Sequence, residues 1–157
     1  LDEFDELFAD ESEALGLRIG GRAVIEVLSG DLRPRMVEVL KVCKQNYKVA
    51  CITNNVKAGK GPGMNQNVEK ANEVSKVMDL FDAVIESSVV GIRKPNPAIY
   101  RMASDALEVK PHNCAFLDDL GINLKPAKKL GMATIKVLGE DQAISDLSKL
   151  TGLDFPD

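Results

Sequence analysis

The stretch Phe116-Leu117-Asp118-Asp119-Leu120-Gly121-Ile122-Asn123 decides how this chain is read. Cys114 to Leu117 is a short apolar run, read as a buried strand, and Gly121 opens an amphipathic helix running towards Leu130. Two acids therefore stand at the C-terminal edge of a strand. Adjacent carboxylates repel and lose hydration, so they call for a compensating cation or hydrogen bonds. A hard divalent cation with oxygen ligands, above all Mg²⁺, suits that arrangement. The plainer reading is that Asp118 or Asp119 caps the helix that follows. One acid there is ordinary; two point to a site.

Outward from this stretch, the chain from residue 34 onward alternates helix and strand. Pro34 starts a helix whose apolar face is Met36, Val37, Val39, Leu40 and Cys43. Val49 to Ile52 is a short strand ending in Thr53-Asn54-Asn55. A loop with Gly59, Gly61, Pro62 and Gly63 leads to a helix over about 66–78, with an aliphatic stripe at Val68, Ala71, Val74 and Met78. Ala83 to Ile85 is a strand, 97–107 a helix, 122–130 a helix, 133–138 a strand and 141–150 a final helix. This alternation predicts an α/β fold, a Rossmann-like, mainly parallel sheet with helices on both faces. The first thirty residues hold no strand. Phe4, Leu7, Phe8, Ala14, Leu15 and Leu17 suggest one helix and 23–28 a second, a partial helical cap (1–30) ahead of the core (31–157).

The bulk properties narrow the class. At 157 residues, 45% hydrophobic and 28% charged, the chain is long enough for a real core and has the composition of a globular protein. A net charge near −4 without a basic run argues against nucleic acid or an anionic membrane surface as partner. Cys43, Cys51 and Cys114 lie inside apolar segments at no zinc spacing, and read as reduced thiols of a cytoplasmic protein. His112, in a Pro111-Asn113 turn, reads as exposed and idle. The glycines at 59, 61 and 63 lack the spacing of either phosphate-binding fingerprint, and Pro62 removes an amide.

In an open parallel sheet, ligands bind beyond the carboxyl ends of the strands. Three features fall on that edge: Thr53-Asn54, Lys94 and Asp118-Asp119. A hydroxyl, an amide, an ammonium and a carboxylate pair can hold a phosphate through Mg²⁺ and direct donors. Lys94 lies in Gly91-Ile92-Arg93-Lys94-Pro95-Asn96-Pro97, where two prolines restrain the loop and lower the entropy of placing the lysine. Singly, Thr-Asn-Asn reads as a turn and a lysine before proline as a solvated loop residue. Together and in this order, they read as a phosphate site.

On these motifs, over roughly residues 30–140, the chain resembles the haloacid dehalogenase-like hydrolase superfamily, nearest the branch with the phosphatase domain of soluble epoxide hydrolases. Cys51-Ile52-Thr53-Asn54-Asn55 is similar to the second family motif. The resemblance implies that the Thr53 hydroxyl and the Asn54 backbone amide bind the phosphoryl group. Val90-Gly91-Ile92-Arg93-Lys94-Pro95 is similar to the third, where Lys94 would steady phosphate and nucleophile charge. Residues 116–127 are similar to the fourth: Asp119 would ligate Mg²⁺ directly, Asp118 would be an outer ligand or orienter, and Asn123 would brace the loop. The implied activity is a Mg²⁺-dependent phosphatase acting on a small phosphorylated substrate through an aspartyl-phosphate. A 2-haloacid dehalogenase-type hydrolase is an alternative, against which the metal-binding pair counts. A catalytically inactive binding or assembly module is another.

The chain departs from the family at its start. The family nucleophile is the first Asp of an Asp-x-Asp motif ending an N-terminal strand, and its second Asp is the general acid and base. Asp2, Asp5 and Asp10 follow no apolar strand and stand among Glu3, Glu6 and Glu11 in a helical pattern. The resemblance thus implies that the first strand and both acids are missing, and that this chain, beginning at Leu1, is truncated and inactive alone. That strand would lie between the strands at 49–52 and 114–118. Their edges are then expected to pair directly, to exchange segments with a second copy as a homodimer, or to keep a separately cleaved piece.

Overall fold

Four short apolar runs become parallel strands with helices between them, the α/β pattern expected. The computed structural model describes residues 2–28, 31–55 and 68–156. The loop with Gly59, Gly61, Pro62 and Gly63 lies outside the described residues, as does Ser29-Gly30. The chain divides into two compact units, Leu1–Leu32 with Val56–Lys76, and Arg33–Asn55 with Val77–Asp157.

In the first unit, α1 (Asp2–Ala14) carries Asp2, Glu3 and Asp5 in its first turn, where the helix dipole favours negative charge. It ends sooner than the apolar pattern through Leu17 suggests. Gly16, at φ 103°, takes a left-handed conformation that glycine adopts without strain, and its N–H bonds back to the Glu13 carbonyl at 2.9 Å. α2 (Gly21–Leu28) packs on α1. Its N-terminus is tied down by the Asp5 carboxylate, which accepts from the Arg22 N–H at 2.7 Å. The approach is close at Gly21, where a Cβ would stand 2.5 Å from the Phe4 ring and 2.9 Å from the Phe4 carbonyl oxygen.

The second unit holds the sheet. Its helix α3 (Pro34–Asn46) starts on the expected proline and leads to β1 (Ala50–Thr53). After α4 (Val68–Met78), most of which belongs to the first unit, come β2 (Ala83–Glu86) and the one-turn helix α5 (Ser87–Val90). α6 (Pro97–Ala106) is capped by Asn96, whose side chain accepts from the Ala98 N–H. A 3₁₀ turn at Pro111–Asn113 carries the exposed His112 into β3 (Ala115–Asp118), followed by α7 (Gly121–Lys129), β4 (Ala133–Lys136) and α8 (Glu140–Thr151). β1 runs parallel to β2 in register Ala50↔Ala83 through Thr53↔Glu86, and β3 parallel to β4 in register Ala115↔Ala133 through Asp118↔Lys136.

Helices cover both faces. Along β3 successive side chains point oppositely, so Leu117 packs with Ile135 against Val39 of α3 and Ile144 and Leu147 of α8. Phe116 packs instead with Ile99 and Tyr100 of α6 and Ala127 of α7. Ile52 of β1 and Ile85 of β2 join that same α6–α7 layer, which therefore underlies both strand pairs. Direct pairing of β1 with β3 is not the arrangement adopted: among the described residues the sheet is two two-stranded pieces, and the edges of β1 and β3 away from their partners carry no ladder. The three cysteines are half-buried free thiols, and burial raises each of them. Among the described residues, no helix is long and apolar enough to cross a membrane.

Candidate active site

Parallel strands deliver their C-terminal ends to one edge, and the candidate residues stand there. Thr53 is the last residue of β1, Asp118 the last of β3, and Lys94 follows the α5 turn after β2. The lysine bridges the two strand pairs. Its backbone is clasped by Asn54, whose Oδ1 accepts from the Lys94 N–H at 2.8 Å and whose Nδ2 donates to the Lys94 carbonyl at 3.0 Å. Its Nζ donates to Asp118 Oδ2 at 2.9 Å, with the two side chains only 14% and 5% exposed. The Lys94-Pro95 peptide is cis.

Asp118 is saturated. Besides Lys94 on Oδ2, its Oδ1 accepts from the Leu120 N–H at 2.8 Å and from Asn123 Nδ2 at 3.0 Å. Burial alone would raise this carboxyl; Lys94, the Leu120 amide and Asn123 together outweigh it and hold the group below the usual carboxylate range. A group depressed on folding contributes stability that is present above its unfolded value and lost as pH falls through the folded one. The stability difference between the wild type and Asp118→Asn is expected to be constant near neutrality and to shrink below about pH 4, measured by urea unfolding over a pH series.

Asp119 is the opposite case. It is exposed and, among the described residues, no hydrogen bond engages its carboxylate, so it is the member of the pair free to ligate. Mg²⁺ is commonly held by one or two carboxylates with waters and substrate phosphate completing its shell. Asp119, with the anionic but internally committed Asp118 beside it, fits that habit. No group of three or more His, Cys, Asp or Glu suited to a metal occurs among the described residues.

The structure brings Thr53, Asn54, Lys94, Asp118, Asp119 and Asn123 to one edge, and gives several of them partners that sequence spacing does not reveal. Asn55 ties the end of β1 to that of β2: its side chain donates to the Glu86 carboxylate and accepts from the Ser88 N–H at 3.1 Å, and its carbonyl accepts from Ser87 Oγ at 3.1 Å. Beneath Lys94 lies the Phe116 ring, its centroid 5.8 Å from Nζ. Tyr100 meets that ring edge-on at 5.1 Å and donates its hydroxyl to the Asn123 carbonyl at 2.7 Å. Burial and the charge of Asp118 push Tyr100 up to about 12, so its hydroxyl stays a donor across the ordinary pH range. The one signal for this in the sequence is a tyrosine within the apolar face Ile99-Tyr100-Ala103, a polar handle where none is needed for packing.

A family model described as haloacid dehalogenase-like hydrolase matches residues 2–131. The bifunctional epoxide hydrolase 2 of Mus musculus is 33% identical over 164 residues, covering 98% of this chain, which spans 28% of that protein's length. A phosphatase of Mycobacterium tuberculosis is 28% identical over 124 residues, covering 76% of this chain and 52% of that one. Among solved structures, a HAD-family enzyme of Bacteroides thetaiotaomicron in complex with magnesium and inorganic phosphate superposes with a TM-score of 0.58 at 22% identity, over 89% of this chain and 74% of that one.

Proposed function

Since the chain belongs to the haloacid dehalogenase-like hydrolases, we propose that this sheet edge is the site of a Mg²⁺-dependent phosphatase acting on small phosphate monoesters in the cytoplasm. The observation that carries the reading is the buried ion pair of Lys94 with Asp118 beside the exposed carboxylate of Asp119. That edge offers one cation fixed in place and one carboxylate free for a metal.

Each residue then has a defined task. The Thr53 hydroxyl and the Asn54 N–H donate to phosphoryl oxygens. Lys94 neutralises the charge that gathers between phosphate and nucleophile, and its burial strengthens that effect. Asp119 would hold Mg²⁺ with Asp118 as outer orienter, and Asn123 braces Asp118. When bound, Mg²⁺ supplies Lewis-acid stabilisation of the transferring group.

The chemistry is displacement at phosphorus. A carboxylate oxygen attacks, the ester P–O bond breaks, and the leaving alkoxide takes a proton from a second acid. Water then hydrolyses the acyl phosphate and regenerates the carboxylate. None of the described residues places those two acids at this edge. We assign them to a strand supplied by a separate polypeptide segment, whose backbone pairs with the free edges of β1 and β3.

The test is Mg²⁺ titration together with inorganic phosphate binding with and without Mg²⁺, because the residues that hold metal and phosphate are in this chain while the two reacting acids are not. Asp119→Asn is expected to weaken Mg²⁺ binding, and with it Mg²⁺-dependent phosphate binding, about tenfold or more, with the urea midpoint unchanged. Full Mg²⁺ affinity in this variant would overturn the metal assignment.

A further inference from the structure

We propose that Tyr100 is a positioning residue of this site, holding Asp118 through Asn123 with its hydroxyl and Lys94 through Phe116 with its ring. The proposal rests on the phosphatase reading only for its functional consequence; its geometry stands apart from it. Five contacts form a closed circuit. Tyr100 Oη donates to the Asn123 carbonyl at 2.7 Å, and Asn123 Nδ2 donates to Asp118 Oδ1 at 3.0 Å. Asp118 Oδ2 accepts from Lys94 Nζ at 2.9 Å, Lys94 Nζ stands 5.8 Å over the Phe116 ring, and that ring meets Tyr100 at 86°. Tyr100 and Asn123 are 0% and 4% exposed, so water does not compete for these bonds.

The circuit has a mechanical meaning. Asn123 sits in the first turn of α7, directly after Asp118-Asp119. Holding its carbonyl fixes that turn, and the turn fixes the Asp118 carboxylate through the Leu120 N–H and Asn123 Nδ2. The tyrosine ring meanwhile sets the tilt of Phe116, whose negative face underlies the ammonium. A phenylalanine would fill the volume of residue 100 equally well, so packing leaves the hydroxyl unexplained. Tyr100 touches no substrate; it acts through Asn123 and Phe116.

Three versions of the 157-residue chain test this: Tyr100→Phe, Asn123→Ala and the double variant. The readouts are inorganic phosphate affinity in the presence of Mg²⁺ and the ¹⁵N-resolved ammonium resonance of Lys94. Tyr100→Phe is expected to weaken phosphate binding about fivefold, the equilibrium equivalent of one neutral hydrogen bond, and to speed hydrogen exchange of the Lys94 ammonium. Asn123→Ala removes the amide route to Asp118 but keeps the residue-123 carbonyl and the Leu120 N–H route, so the double variant is expected to lose more than Asn123→Ala alone and less than the sum of the two single losses. Additive losses, or a lower urea midpoint with the Lys94 resonance unmoved, would reduce Tyr100 to a packing residue and overturn the proposal. Should the wild type bind no phosphate, the phosphatase reading fails, while the Lys94 resonance still decides whether Tyr100 orders the circuit.

Discussion

Lys94→Met is expected to destabilise the unit that holds the sheet by about 4 kcal/mol at pH 7, the range seen when one partner of a buried ion pair is removed. Methionine keeps the length and apolar stem of lysine and deletes only the ammonium. The loss therefore falls on Asp118, which is 5% exposed and keeps two neutral donors, the Leu120 N–H and Asn123 Nδ2. Those two cannot neutralise a carboxylate shut away from water. Two further observations make the prediction specific. The cost should fall as pH drops and Asp118 takes up a proton, and the double variant Lys94→Met/Asp118→Asn should recover most of it, because no charge is then stranded. Urea unfolding of the three variants at pH 7 and pH 4 measures both. A loss under about 1 kcal/mol at pH 7 would mean that water reaches the pair freely.

Ile99→Ala is expected to cost about 3 kcal/mol, the usual range for deleting a buried branched side chain from a close-packed core. Ile99 is 0% exposed and lies in the layer that touches Ile52 of β1, Ile85 of β2 and Phe116 of β3. It thus supports both strand pairs from below, where no ladder of hydrogen bonds joins β1 to β3. The void left by alanine has strands on one side and α7 on another, which limits collapse. A fall in the urea midpoint with an unchanged slope is the expected result. A fall of less than half that size would show that the layer closes over the gap.

Much of this was legible in the sequence, and the boundary of legibility has a physical basis. The strands at 50–53, 83–86 and 115–118 lie where short apolar runs end in polar residues, because a strand buried on both faces must be apolar at nearly every position. Pro34 and Pro97 mark helix starts, since proline gives up an amide that a first turn leaves unpaired. The edge residues Thr53, Lys94 and Asp118-Asp119 could be found because parallel topology alone sends strand ends to one side. The helix α5 could not be found: four residues hold no periodicity, and only Gly91, at φ 71°, marks its end.

The partnerships at the edge were also out of reach. Asn54 clasps a residue 40 positions away, and Tyr100 reaches one 23 positions away. Local pattern says nothing of such pairs, which depend on where helices come to rest on the sheet. The same limit divided the acidic pair. Sequence places Asp118 and Asp119 side by side as near equals, whereas the fold buries one among three donors and leaves the other in solvent.

The free edges of β1 and β3 also bear on how this polypeptide behaves at concentration. Rows of unsatisfied amides and carbonyls are templates on which any extended chain can add, including a neighbour of the same kind. Strands of four residues, Ala50–Thr53 and Ala115–Asp118, give such a template little length, and the exposed Lys48 places a charge just ahead of β1. Brevity and charge act here as gatekeepers against fibrous stacking, which needs six or seven uncharged residues in a row. A strand added to so short an edge is held by few backbone hydrogen bonds, so any association there is expected to rise and fall with protein concentration, which sedimentation at several loadings would check.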